Sequence, residues 1–411
     1  MNNNVNEIKS CEVCGNDILE SVLNLGLHPM CDDLISIKDT RICHEYPIDI
    51  VFCKTCITAH QRFQVPKEDL FPAAYHYRSR FTADVLNGMA GLVESCIESF
   101  GSLKEKKVLD VGCNDGSLLD FFKKNGALTF GIEPTNAYLD AKEKGHYAIN
   151  DYLSQKVAKE FVELCGKPDF ITFTNVFAHI ENLKEVLESL KILSSKDTII
   201  IIENHYLGSV LDGNQFDTFY HEHPRTYSYT SFTYMAKSLD LELLNVEFPS
   251  RYGGNVRVFM GNKSYTNKSL IYDKDTIIRK ENKYFEQFKS LERNVQKWKI
   301  NKKKLLENLF NKYGKLRAKA FPGRAAILIK LLELNHEIIS AVYEKHGSLK
   351  IGNYLPGTRI PILSDSDLFS MQDKSLPIIN LAWHIPNEIQ NYMIKNGYTG
   401  EIINIIERDD F

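Results

Sequence analysis

The chain has 411 residues, of which 43% are hydrophobic and 25% charged, and its formal net charge is −3. This length predicts two or three domains, and the charge balance excludes a global attraction to nucleic acid or to an anionic membrane. The N-terminus has no signal-peptide core, and no apolar run approaches the length of about 20 residues that a membrane span needs. We therefore expect a cytoplasmic protein, in which nine cysteines favour metal ligands or free thiols over disulfides.

Two paired-cysteine motifs mark the N-terminal segment. Cys11 and Cys14 form one Cys-x-x-Cys pair, and Cys53 and Cys56 form the other. Four thiolates suit a closed tetrahedral site, so we predict a structural Zn²⁺ with no open position for catalysis. Redox chemistry at a single pair is the alternative, but two pairs in one short segment favour metal. Other residues of this segment are kept as alternative ligands: Cys31, Cys43, His44 and His60.

An aromatic and basic segment follows at 70–81. It carries Tyr75 and Tyr77 among basic side chains. These tyrosines either form a lid over an anionic ligand or serve only in packing. Apolar residues at helical spacing then predict a helix over 82–100.

Residues 108–116 join an apolar strand to a tight glycine turn. The two glycines have Gly-x-x-x-Gly spacing, whereas a dinucleotide site needs Gly-x-Gly-x-x-Gly. Glu133, about 20 residues further on and after a second apolar run, is the acid expected to take ribose hydroxyls. The stretch resembles motif I of class I methyltransferases that use S-adenosylmethionine (SAM), with a purely structural turn as the alternative. The predicted cofactor-binding residues are Asp110, Gly112, Asn114, Asp115, Gly116, Glu133 and Asn175.

Strand and helix patterns alternate between 108 and 203, which predicts an α/β fold with a doubly wound parallel sheet. The ligand of such a sheet lies at the carboxyl ends of the strands. Gly112, Glu133, Asn175 and Glu203 fall at these ends. The predicted strands cover 108–111, 129–133, 170–174 and 198–203, and the predicted helices 118–125, 137–144 and 183–193.

The densest group of titratable side chains is Tyr-His-Glu-His at 220–223. Histidine is the natural general base near neutral pH, a neighbouring carboxylate can orient it, and tyrosine can stabilise an oxyanion. A metal-binding His-x-His pair and a solvated polar loop are the alternatives. His179, after the strand 170–174, is either a core histidine or part of the same site. The candidate catalytic residues are His223, Glu222, Tyr220, His179, Tyr75 and Tyr77.

The last part of the chain changes character twice. Residues 265–316 are rich in Lys and Glu around an apolar stripe, so we predict one or two long helices with a solvated charged face. A second α/β unit then follows. Its predicted strands include 338–343 and 376–383, and its predicted loop covers 354–361.

These motifs occur in one order over nearly the whole chain, and in that order they resemble a known family. It is the family of nucleotide-sugar C-methyltransferases that branch deoxysugars, such as the TDP-4-keto-6-deoxyhexose 3-C-methyltransferases. The resemblance implies SAM and a structural Zn²⁺ as cofactors and a nucleotide-linked keto sugar as substrate, with no nucleic-acid or membrane partner. It divides the chain into a zinc-binding domain (1–70), a class I SAM methyltransferase domain (71–264), a helical connector (265–316) and a C-terminal Rossmann-like domain (317–411).

The resemblance also implies a mechanism. A ketone acidifies the neighbouring C–H, His223 removes that proton, and the enolate carbon attacks the methyl group of SAM. Tyr220, Glu222, His179 and a lid tyrosine position the substrate and stabilise the enolate. The chain departs from the family at 320–327, where a proline and Arg324 replace a glycine-rich turn, and Arg324 is expected to pair with phosphate. A small-molecule O-methyltransferase and an inactive zinc-bearing binding protein are the alternatives, and the oligomeric state stays open.

Overall fold

The structure is a computed structural model that describes residues 5–66, 70, 78–81, 83–262 and 272–411. The candidate lid residues Tyr75 and Tyr77 lie outside these residues. The described residues form sheets of seven, five and four strands and two further sheets of two strands each, and residues from three parts of the chain line one cleft.

The N-terminal module is a small antiparallel β-structure beside the cysteine pairs. Its strands β2 and β4 pair over most of their length, and β4 pairs with β5. The alternating apolar residues of β4 are buried on one face, which explains why this segment forms a strand. The strands are β1 (Asn6–Glu7), β2 (Glu20–Pro29), β3 (Ile35–Ser36), β4 (Glu45–Cys53), β5 (Thr58–Gln61) and β6 (Phe63–Gln64).

A helix, α1 (Ala83–Phe100), leads into the central seven-stranded sheet. The strands in this part are β7 (Lys107–Val111), β8 (Leu128–Ile132), β9 (Tyr147–Ile149), β10 (Phe170–Thr174), β11 (Ile199–His205), β12 (Arg225–Thr226), β13 (Glu242–Glu247) and β14 (Asn255–Gly261). The helices are α2 (Ser117–Lys124), α3 (Tyr138–Glu143), α4 (Gln155–Cys165), α5 (Leu183–Leu193), α6 (Leu207–Asp212) and α7 (Tyr229–Ser238). The predicted α/β fold class is therefore confirmed.

The strand order of the central sheet is β13-β14-β11-β10-β7-β8-β9. The chain starts at β7, moves outward to β8 and β9, and returns to β10 on the other side of β7. The switch point of the sheet, where ligands of such folds bind, thus lies between β7 and β10. The strands expected from the sequence, β7, β8, β10 and β11, are parallel. At one edge of the sheet β14 runs antiparallel to β11, and β13 runs antiparallel to β14.

Two helices, α8 (Lys274–Glu281) and α9 (Tyr284–Tyr313), follow the central sheet. The stripe of large apolar residues along α9 is buried, and its lysines and glutamates mostly face outward, as the pattern predicts. None of the described helices is long and apolar enough to cross a membrane.

The C-terminal sheet is parallel throughout, with the order β18-β16-β15-β19-β20. Its switch point lies between β15 and β19, again because the chain returns to the other side of its first strand. The strands are β15 (Leu316–Lys319), β16 (Ile339–Glu344), β17 (Asn353–Tyr354), β18 (Ile362–Ser364), β19 (Ile378–Asn380) and β20 (Ile402–Asn404). The helices are α10 (Ala325–Leu331), α11 (Asp365–Ser370) and α12 (Pro386–Lys395).

The N-terminal module is attached to both larger parts of the protein. Its strand β5 pairs with β12, and its short strand β3 pairs with β17 of the C-terminal part. Arg359 adds hydrogen bonds from the C-terminal loop 354–361 to backbone carbonyls of the module. These pairings close the sides of the cleft between the two switch points.

Candidate active site

The four predicted metal ligands come together in the N-terminal module. The Sγ atoms of Cys11, Cys14, Cys53 and Cys56 all lie within 4.8 Å of one another. The Cys11–Cys56 and Cys14–Cys53 Sγ distances are 3.3 and 3.6 Å. Four thiolates at this spacing fit a tetrahedral Zn²⁺, and His60, whose Nε2 lies 3.3 Å from the Cys11 Sγ, contacts the cluster from outside.

A single cleft with a volume of 1350 Å³ joins the three parts of the protein. One wall is formed by the carboxyl ends of β7, β8, β10 and β11, and the opposite wall by those of β15, β16 and β19. Residues 30–34 of the N-terminal module close a third side. The cleft is large enough for a cofactor and a substrate of nucleotide size side by side.

The glycine turn after β7 brings backbone close to the neighbouring loop. Gly112 has φ +72°, and a Cβ atom there would lie only 2.6 Å from a methyl carbon of Val176. Any larger residue would therefore push the loops after β7 and β10 apart. Asn114 continues the turn, and its backbone N–H donates to Glu133 Oε2 at 3.0 Å. Gly112, Asn114, Glu133 and Asn175 all line the cleft, so these are the residues of this wall that would hold SAM.

The other three predicted cofactor residues lie behind this turn. Asp110 accepts from the Thr172 hydroxyl at 2.7 Å, and burial raises its pKa to about 7. Asp115 accepts from Ser117 at the start of α2. A Cβ atom on Gly116 would meet His146 and Ala141 rather than the cleft. We infer that Asp110, Asp115 and Gly116 shape the turn without facing the ligand.

The candidate base lies among aromatic rings on the cleft wall. His223 Nδ1 donates to the carbonyl oxygen of Thr218 at 3.0 Å, which leaves Nε2 as the basic nitrogen. The His223 ring centroid is 4.2 Å from that of Tyr220, 4.8 Å from that of His179 and 5.5 Å from that of His205. The structure thus brings Tyr220, His223 and His179 into one group, and Glu222 lines the same cleft, whereas His221 bonds to the Tyr46 carbonyl oxygen.

Burial sets the protonation of this group. It lowers the pKa of His179 to about 4 and that of His223 well below its ordinary value of 6.5, so both rings are neutral at pH 7. Burial, together with nearby Asp32, raises the pKa of Glu222 well above its ordinary value. Burial likewise raises the pKa of Tyr220. The cleft therefore holds neutral imidazoles beside two acids whose protonated, hydrogen-bond-donating forms are favoured by burial.

The end of β11 differs from the sequence expectation. The predicted strand 198–203 put Glu203 at its carboxyl end, but in the structure Glu203 lies within β11, is fully buried and pairs with Arg251 and Arg257 at 3.1 and 2.7 Å. The strand continues two residues further, and Asn204 and His205 line the cleft instead. Neither residue was predicted from the sequence, although the three polar residues Glu-Asn-His directly after an isoleucine run were a usable signal.

Asn204 has a further property. It is only 1% exposed, and neither atom of its amide has a hydrogen-bond partner within the described part of the chain. Buried amides are nearly always paired in folded proteins. We infer that this amide binds cofactor or substrate.

Arg324 occupies the loop that departs from the family pattern. Its guanidinium donates to both carboxylate oxygens of Asp217, at 2.8 and 2.6 Å, and packs against the ring of Trp383. Trp383 donates to the same carboxylate at 2.8 Å. Arg324 thus ties the C-terminal sheet to the loop before 220–223, instead of standing ready for a phosphate as expected. Lys350, which donates to the Phe321 carbonyl oxygen, is a second cation on this wall.

Comparison with known protein families divides the chain into three matched regions. Residues 11–71 match a model described as "Putative zinc binding domain", and residues 76–246 match "Methyltransferase domain". Residues 250–404 match "C-methyltransferase C-terminal domain". These matches confirm the resemblance to C-methyltransferases that carry an N-terminal zinc-binding domain. The domain boundaries given above, with their separate connector, stay a prediction.

The chain is similar to individual proteins over different shares of its length. The chain is 26% identical to C-methyltransferase NovU of Streptomyces niveus over 401 residues, which cover 96% of this chain and 94% of the relative. It is 33% identical to the ubiquinone biosynthesis O-methyltransferase of Histophilus somni over 108 residues, 24% of this chain and 44% of the relative. A solved magnesium protoporphyrin IX methyltransferase of Synechocystis with bound SAM is 14% identical over 44% of this chain and 80% of its own, with a TM-score of 0.33.

Proposed function

We propose that this chain, a SAM-dependent methyltransferase with a structural Zn²⁺ site, methylates the carbon next to a ketone in a nucleotide-linked deoxysugar. The observation that carries this proposal is the position of His223, whose Nε2 is left basic by the Nδ1 hydrogen bond, beside Tyr220 and Glu222 in the cleft between two switch points. The full-length similarity to a C-methyltransferase and the C-methyltransferase C-terminal domain support transfer to carbon.

The difficult step is the removal of a proton from carbon. His223 Nε2 takes this proton, and the electron pair of the C–H bond moves into the C–C bond as the carbonyl becomes an enolate. Nδ1 keeps its hydrogen bond to Thr218 throughout, so the ring does not turn when it becomes charged. A buried, neutral histidine is ready to accept a proton at pH 7 because its pKa lies below that pH.

The negative charge that develops on the ketone oxygen needs donors. Burial raises the pKa values of Tyr220 and Glu222, so it favours the protonated form of each side chain. A protonated carboxyl group or phenol in an apolar site is an effective oxyanion donor. His179 is fixed by a 2.7 Å hydrogen bond from Nδ1 to the Glu222 carbonyl oxygen, which orders the loop that carries Glu222.

SAM supplies an electrophilic methyl group, so the protein has no need to activate it. The residues that would hold SAM are Gly112, Asn114, Glu133 and Asn175 on one side of the cleft. The opposite side, at the switch point of the C-terminal sheet, is where an open α/β sheet binds a nucleotide. Lys350 gives that side a cation for a pyrophosphate. The two sites face each other across the 220–223 loop.

The test is methyl transfer from SAM to a panel of nucleotide 4-keto-6-deoxy sugars, with mass and carbon NMR of the product. We expect a mass gain of one methyl group and a new ring-carbon substituent. The variant His223→Gln keeps a donor for Thr218 but has no base, so we expect turnover to fall by about 10²–10⁴-fold with SAM binding retained. His44→Gln, at an exposed histidine, is the matched control. A methyl group on oxygen, or full turnover of His223→Gln, would contradict the proposal.

A further inference from the structure

The loop that carries the candidate base has little regular structure of its own. It follows a single 3₁₀ turn, Phe216–Thr218, and ends at β12. Three of its side chains or backbone groups are held by the N-terminal module. Gln61 donates from its backbone N–H to the Pro224 carbonyl oxygen at 2.8 Å and from its side chain to that of Tyr220 at 3.3 Å. His221 donates to the Tyr46 carbonyl oxygen at 3.1 Å.

The strand after the loop is part of the sheet of the N-terminal module. Arg225 pairs with His60 of β5, two residues beyond His223. The Arg225 side chain has no exposed surface, and its Nη1 donates to Glu12 Oε2 at 2.6 Å. Glu12 stands between Cys11 and Cys14, inside the first cysteine pair.

Arg225 also contacts the loop that carries His179. Both of its Nη atoms donate to the Glu181 carbonyl oxygen at 3.3 Å, two residues after His179. Its Nε donates to the Tyr227 hydroxyl at 2.9 Å. One buried guanidinium therefore connects the first cysteine pair, the His223 loop and the His179 loop. A buried arginine that loses its carboxylate partner must move or admit water, and both loops would follow it.

We propose that Glu12 and Arg225 are positioning residues, through which the four-cysteine cluster sets the orientation of His223 and His179 in the cleft. The four-cysteine cluster then acts on the reaction without an open coordination position and without touching substrate. This inference rests on the proposed role of His223 as base. It explains why the zinc-binding module lies against the 220–223 loop rather than at a free end of the molecule.

The test compares the zinc-loaded full chain with Glu12→Gln, Arg225→Lys and a control, Asp17→Asn. Asp17 is exposed and lies three residues after Cys14, so its variant removes a charge beside the same cluster. Zinc content per chain, the thermal midpoint, and the NMR titration of the His223 imidazole without substrate are measured for each variant. His179, His205, Tyr220 and Arg324 face His223 and are unchanged in all three variants.

We expect Glu12→Gln to keep its zinc while the pKa of His223 rises toward 6.5, because a loosened loop admits water to the ring. With a competent sugar, turnover should fall by about 100-fold, with the KM for SAM unchanged, since small displacements of a reacting group have costs of this size. Asp17→Asn should change none of these quantities. An unchanged His223 titration in zinc-loaded Glu12→Gln overturns the proposal, as does an equal effect of Asp17→Asn.

If Glu12→Gln loses zinc or fails to fold, Arg225→Lys is the variant that tests the proposal. It leaves the cysteine pair intact and keeps the charge but cannot make the paired hydrogen bonds to Glu181. An unchanged His223 titration in this variant also overturns the proposal. Because the titration needs no substrate, a shifted pKa together with no methyl transfer to any sugar supports the coupling and refutes only the proposed substrate.

Discussion

The amide of Asn204 offers the sharpest test of how the cleft is used. It is buried at the end of β11, lines the cleft, and has no hydrogen-bond partner within the described residues. Burying an unpaired amide costs about 1–3 kcal/mol of folding free energy. Asn204→Ala removes this cost and leaves only a small gap that opens to the cleft. We therefore expect the free energy of unfolding to stay unchanged or to rise by about 1 kcal/mol.

Replacing a matched asparagine in the C-terminal sheet should instead lower the free energy of unfolding. Asn380 is equally buried, but its amide donates to Asn404 Oδ1 at 2.8 Å and accepts from the Ala382 N–H at 3.0 Å. Asn380→Ala leaves both of those groups unpaired, so we expect a loss of about 1–3 kcal/mol. Urea unfolding of the two variants without ligands measures the difference directly.

The effects of the two variants on activity should rank in the opposite order to their effects on stability. If the Asn204 amide binds cofactor or substrate, its removal costs a hydrogen bond of about 1.4 kcal/mol, or about tenfold in kcat/KM. Asn380→Ala should leave kcat/KM nearly unchanged in protein that is still folded. Calorimetry with SAM shows whether the loss lies in cofactor binding or in the sugar. Equal destabilisation by the two variants, or full kcat/KM in Asn204→Ala, would refute the reasoning.

Three further predictions follow from the same structure. Burial lowers the pKa values of His179, His205 and His223, so as the pH falls below about 6.5 the unfolded chain binds protons at these histidines that the folded chain does not. The free energy of unfolding should therefore fall by about 1 kcal/mol per histidine between pH of about 6.5 and about 5.5, as measured by urea unfolding. Chelation of the metal should expose the four ligand thiols to a thiol reagent and abolish turnover, and re-addition of Zn²⁺ should restore both. Arg324→Met should destabilise the protein by about 3–5 kcal/mol because it leaves the buried Asp217 carboxylate without its counter-charge, and the double variant with Asp217→Asn should recover most of this loss in a thermal melt.

Local sequence patterns were sufficient for the elements that build the methyltransferase core. The strand over 170–174 and the helix over 183–193 have the bounds that their apolar periodicity predicts. The hairpin of β13 and β14 was missed because its neighbours in the sheet, and not its own pattern, determine that it forms an edge. Glu203 was misplaced for a related reason, since the paired strand β14 extends β11 by two residues.

The sequence by itself determined the chemistry that depends on residue type and spacing. Two Cys-x-x-Cys pairs specify a zinc site, the glycine turn before Glu133 specifies a SAM-type fold, and the run 220–223 contains the proposed base and the proposed oxyanion donors. Only the tertiary structure decided which partners these groups have. Asp217 pairs with Arg324, which is 107 residues away in the sequence, and Glu12 pairs with Arg225, which is 213 residues away. Burial is the reason for such pairs, because a charged side chain that is removed from water is stable only beside an opposite charge. Which residue supplies that charge depends on how the sheets pack.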